Sequence, residues 1–107
     1  MSEVEIDFLG GSASEIFEKQ SPSSGDRIRL DEGLEAEYKR DLVVKSIEGE
    51  AFRFVIHHSA EFGTFATYAT LYKVLEKSGA KAVTIANERV EVDKEAIKER
   101  LEEVLED

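Results

Sequence analysis

Residues 59–107, SAEFGTFATYATLYKVLEKSGAKAVTIANERVEVDKEAIKERLEEVLED, decide the fold, because each element in them carries its own local signal. Ser59 is placed to cap a helix over residues 60–77. At about 100° per residue, Thr64, Phe65, Tyr68, Leu71, Tyr72 and Leu75 fall on one arc and Ala66, Thr70, Lys73 and Lys77 fall opposite. Ser78-Gly79 stops this helix, with the glycine at the left-handed position that follows a last turn. A short hairpin comes next, running through Asn87-Glu88 and pairing Ile85 with Val90 and Val83 with Val92. Asp93 then caps a final helix whose Ile97, Leu101, Val104 and Leu105 form one apolar stripe among charges.

Working back towards the N-terminus, Val4, Ile6 and Phe8 alternate with Glu3, Glu5 and Asp7, the pattern of a half-buried strand over residues 3–9 ending at Gly10-Gly11. Ser12 or Ser14 is positioned to cap a short helix that turns Ile16 and Phe17 inward before Pro22. A three-residue loop at Asp31-Glu32-Gly33 sets Leu30 against Leu34 and Ile28 against Ala36 on one face, and Arg29 against Glu35 and Arg27 against Glu37 on the other. Apolar and charge pairing choose the same register. Residues 42–47 and 51–57 suggest a second hairpin, with Leu42 opposite Ile56 and Val44 opposite Phe54. That register sets Lys45 against Arg53, an unfavourable like-charge pair unless a nearby carboxylate answers it. Val43, Ile47 and Val55 occupy its other face, where a partner would find apolar contact.

The element order read this way is β-α-β-β-β-β-α-β-β-α over residues 1–107. It predicts one α+β domain with a mostly antiparallel sheet and helices mainly on one face. There is no cysteine, so disulfides, thiolate chemistry and Cys-ligated zinc are excluded. No apolar run approaches the roughly 20 residues of a membrane helix, and the N-terminus lacks the pattern of a signal peptide, so the expected location is the cytoplasm and no membrane is expected as a partner. Net charge is −10, and residues 31–50 and 88–107 carry −9 of it between them, which makes direct nucleic-acid binding an unfavourable expectation. One Asn, one Gln and one Met beside 36% charged residues give a thermophile-like or design-like composition.

Candidate chemistry is sparse. His57 and His58 are the only histidines and, as neighbours at a strand end, point to opposite faces. With no H-x-x-x-H or H-E-x-x-H spacing, neither a metal nor another cofactor is expected. Gly10-Gly11-Ser12 sits between a strand and a helix, where backbone amides can face an anion, yet it matches no phosphate-loop pattern. The serines include no G-x-S-x-G, so no nucleophile is placed beside a base. Residues 4–11 and 27–33 resemble the opening strands of metallo-β-lactamase-type hydrolases, but the histidine-rich metal motif of that family has no counterpart in the chain. Residues 79–90 are similar to a short segment of bacterial division-associated membrane proteins with a ferredoxin-like domain. Neither resemblance brings a function with it.

These readings converge on a small acidic binding or interaction domain without evident catalytic machinery. Its expected partners are another protein or a second copy, engaged through Val43, Ile47 and Val55 or a strand edge. The alternative is a small-molecule-binding protein or enzyme that uses the space between helix 60–77 and the sheet, with His57, His58, Arg53, Tyr68 and Tyr72 as its polar groups. A third reading is an acidic nucleic-acid mimic.

Overall fold

A computed structural model describes residues 2–43, 50–58 and 64–105. Six strands form one antiparallel sheet in the order β2-β3-β4-β1-β5-β6. Along the chain the elements are β1 (Ser2–Gly11), α1 (Ser14–Phe17), β2 (Arg27–Asp31), β3 (Leu34–Leu42), β4 (Glu50–His58), α2 (Thr64–Ser78), β5 (Ala82–Ile85), β6 (Glu88–Val90) and α3 (Lys94–Leu105). The fold is α+β, as expected, and the elements follow one another in the expected sense. Leu42, where the strand expected over residues 42–47 would begin, ends β3, and residues 44–49 lie outside the described residues. The core occupies one side of the sheet. Ile6, Phe8, Leu34, Phe54 and Ile85 from alternate strand positions pack with Ile16 and Phe17 of α1, Leu71 and Leu75 of α2, and Ile97 and Leu101 of α3. At its centre Phe8 and Phe54 meet edge to face, with ring centroids 4.9 Å apart and planes at 84°.

Several sequence expectations hold at the level of single residues. β2 and β3 pair Arg27 with Glu37, Ile28 with Ala36 and Arg29 with Glu35, but a bulge between Arg29 and Asp31 sets Asp31 rather than Leu30 opposite Leu34, and the loop closes through Glu32 and Gly33, the glycine at φ 84°. Gly79 ends α2 with φ 75°, its amide 3.2 Å from the Leu75 and Glu76 carbonyls. Asp93 caps α3, its Oδ2 accepting from the Ala96 amide at 3.2 Å.

Others are corrected. Leu42 lies opposite Ala51 rather than Ile56, and it is Ala36 that faces Ile56. The reason is the inward face of β3: Leu34, Ala36 and Tyr38 are almost wholly buried and claim the partners that the apolar run further on had suggested. A bulge between Tyr38 and Arg40 then sets Arg40 opposite Arg53. Val44, Lys45 and Ile47, which figured in the expected hairpin, lie outside the described residues, as does Ser59. The β5–β6 turn falls one residue early, on Ala86 (φ 50°) and Asn87 (φ 67°), so Val83 rather than Ile85 faces Val90. Val92 is left 39% exposed instead of pairing with Val83. The shift spares Glu88 a left-handed backbone and keeps Asn87 in one.

Neither Ser12 nor Ser14 caps α1. Their hydroxyls bond each other at 2.8 Å, Ala13 occupies the cap position, and the turn ends at Glu18 (φ 58°) well before Pro22. The buried side of α2 includes Thr67, Val74 and Ser78 along with the expected Leu71 and Leu75. Tyr68 and Tyr72 are half-buried at its flank.

Candidate functional site

The core consumes one face of the sheet; the other is built of cross-strand rows that the registers define. The first row is Arg29, Glu35, His57 and Glu3, and the second is Arg27, Glu37, Val55 and Glu5. A third runs Arg40, Arg53, Asp7, Thr84 and Arg89 across five strands. A fourth is apolar: Leu42, Ala51, Leu9 and Ala82.

Ion pairs organise the first two rows. His57 is buried between carboxylates, with Nε2 2.8 Å from Glu37 Oε1 and Nδ1 3.2 Å from Glu3 Oε1. Both ring nitrogens are thereby engaged, which leaves neither to act as a general base. Glu37 also accepts from Lys39 Nζ at 3.0 Å and Arg27 Nη2 at 3.1 Å. Hydrogen bonds from Lys39 foremost and then His57, with the charges of Lys39 and Arg27 behind them, hold its carboxyl down at about 2. Arg27 reaches Glu35 as well, at 3.4 Å. Val55 is buried beneath this layer although it points away from the core.

In the third row Arg53 clasps Asp7 with two bonds, Nε to Oδ1 at 2.7 Å and Nη2 to Oδ2 at 3.1 Å, and lies 3.4 Å from Glu5. These carboxylates answer the like charge that Arg40 presents opposite it. The row floors an open concavity of about 530 Å³, within the range of small-molecule sites, whose wall is completed by Leu9, Asp41, Leu42 and Val43. Asp41 accepts a hydrogen bond from the Tyr38 hydroxyl, and burial followed by that bond pushes the hydroxyl well above the usual tyrosine range.

The sequence-derived site residues are not brought together. Arg53 and His57 share the open face but stand two rows apart, whereas His58 is buried on the opposite, helix-bearing side. Tyr68 and Tyr72 face α3, where Lys98 Nζ lies 5.9 Å and Lys94 Nζ 5.2 Å from the respective ring centroids. Val43 is 94% exposed at the rim of the concavity, and Ile47 lies outside the described residues. The anion-facing backbone after Gly11 meets an anion of the chain itself, since the Ala13 amide donates to Glu50 Oε2 at 2.9 Å.

Arg40, Arg89, Asp7 and Thr84 were not singled out from the sequence. Only the correct registers align them, and the Ala86-Asn87 turn is what sets Arg89 opposite Thr84. Among the described residues no group of three or more His, Cys, Asp or Glu side chains could hold a metal ion, and no helix is long and apolar enough to cross a membrane. Compared with protein-family models, with curated proteins and with solved structures, the chain matches none.

Proposed function

We propose that this protein is a binding domain without catalytic machinery of its own, and that it works through the open face of its sheet. The observation that carries this reading is the division of labour between the two faces. One holds the whole hydrophobic core, and the other holds ordered rows of charge around a concavity of about 530 Å³. The groups with chemistry to offer there are already occupied: His57 by two glutamates and Arg53 by Asp7. Such a surface favours recognition over turnover. Mixed-sign rows also support ligand binding better than nucleic-acid mimicry, which calls for carboxylates spaced along one face like phosphates.

A fragment screen read by amide chemical shifts tests the proposal. Binders are expected to perturb Leu9, Arg53 and Thr84 and to be recovered chemically unchanged. Binders that cluster on α2 and α3, or that are chemically converted, would sink it. Sedimentation of the same samples separates ligand binding from self-association across this face, which would appear as a concentration-dependent dimer.

A further inference from the structure

The third and fourth rows together run against the charge of the chain as a whole. Net charge is −10, yet the third row sets three arginines against one aspartate. Counting Asp41 at the rim, the concavity is still positive by one charge, with three arginines against two aspartates. Asp7 is committed to Arg53 and Asp41 to Tyr38. Among the described residues no ion pair engages either end of the row, and both Arg40 and Arg89 are exposed. The sheet also sets Arg40 directly opposite Arg53, and because Asp7 and Glu5 are committed to Arg53, Arg40 is left to face the concavity. With about 4.8 Å between neighbouring strands, Arg40 and Arg89 stand roughly 19 Å apart at the backbone, near enough for both long side chains to lean into one concavity. Thr84, between Asp7 and Arg89, adds a hydroxyl donor. Alongside runs the apolar row, in which Leu9 and Leu42 line the concavity, Leu9 buried and Leu42 partly open.

We propose that this concavity is a site for a small amphiphilic oxyanion, a carboxylate or phosphate carried on a short apolar body. This rests on the reading of the open face as the binding surface. The guanidinium groups of Arg40 and Arg89 take the anionic head, the Thr84 hydroxyl donates to it, and the apolar body lies along Leu9, Leu42 and Val43. Arg53 stays paired with Asp7 and keeps the row in register.

Four probes test the site by amide chemical-shift titration: hexanoate, hexyl phosphate, hexanol and inorganic phosphate. Saturable binding of hexanoate or hexyl phosphate is expected at Leu9, Thr84 and Arg89, and the tighter of the two identifies the head group. Hexanol and inorganic phosphate, each lacking one half of the ligand, should bind more weakly. Arg40→Ala and Arg89→Ala should each weaken the better probe roughly tenfold, the scale of a charge-assisted hydrogen bond. Arg29→Ala, an exposed arginine on the same face but two rows away, is the control and should change nothing. All three side chains are exposed, so the variants keep the fold, and thermal melts verify this. Equal loss in Arg29→Ala, or unsaturable shifts spread over the whole face, would overturn the proposal. Hexanol binding the concavity as tightly as hexanoate would overturn the oxyanion preference and leave the open face standing as the binding surface.

Discussion

Glu37 is held by Lys39, Arg27 and the His57 ring at once, and that ties the stability of the sheet to pH in a definite direction. Its folded value of about 2 lies below the ordinary 4.5. A depressed carboxyl contributes fully above the unfolded value and loses its contribution as pH falls, so the window runs from 4.5 down to about 2. Glu37→Gln should lower stability at neutral pH by roughly 1 kcal/mol, as suits a partly exposed network. It should also decline less steeply than the wild type across that window. Urea midpoints at stepped pH decide it, and parallel curves would remove Glu37 as the origin. Arg100 shows a single side chain answering backbone strain. Its guanidinium donates to the carbonyls of Ile85 and Ala86, both at 3.0 Å, bracketing the left-handed backbone at Ala86, and also pairs with Glu88 and Glu103. Arg100→Ala should cost about 1–3 kcal/mol by denaturant melts. Ala86→Gly, which relieves the left-handed strain, should recover part of that loss in the double variant. An equal loss with and without the glycine would show that the arginine acts elsewhere.

Elements were legible from the sequence where their signals were local. The Asp93 cap, the Gly79 stop and the Arg27–Glu37 register each depend on residues within one turn or one tight loop, and each is found where the residue types put it. The β3–β4 and β5–β6 registers were not legible, because several apolar positions competed for the same partner and burial by distant elements made the choice. The open-face concavity disappeared with them, since its row exists only when those two registers are right. The junction of β1 with α2 and β5 was likewise hidden. An added Cβ on Gly11 would meet the Ala80 backbone nitrogen at 3.0 Å. Ala80 cannot withdraw easily, because Ser12 donates to the Ser78 carbonyl on one side and Lys81 donates to the Leu9 carbonyl on the other. Gly11→Ala should therefore destabilise by about 1–3 kcal/mol, the cost of overpacking. A thermal melt unchanged from wild type would mean that this junction yields more readily than its hydrogen bonds imply.

At the scale of the whole molecule, the first strand of the chain is the keystone of the sheet. β2, β3 and β4 form one run of sequential neighbours and β5 and β6 another, and β1 is the strand that joins them, pairing Ile6 with Phe54 on one side and with Ile85 on the other. No local signal announces such a strand order, because the pairing bridges distant parts of the chain and its closure is favourable only once both runs exist. The order predicts how stability is distributed. Amides bonded between β1 and β4 should exchange with solvent only on global unfolding, whereas those of the edge strands β2 and β6 should open at lower free energy. The decisive comparison is between two excisions. Ile6→Ala removes a fully buried side chain from the joining strand and should lower the protection of both runs together, by about 2–5 kcal/mol. Ile28→Ala, at a half-buried edge position, should lower protection in β2 and its β3 partners and leave β5 and β6 unchanged. If Ile6→Ala instead weakens one run and spares the other, the two halves fold as separate units and β1 is an attachment to one of them. Uniform loss across both would identify the burial of β1 as the step that makes the sheet cooperative.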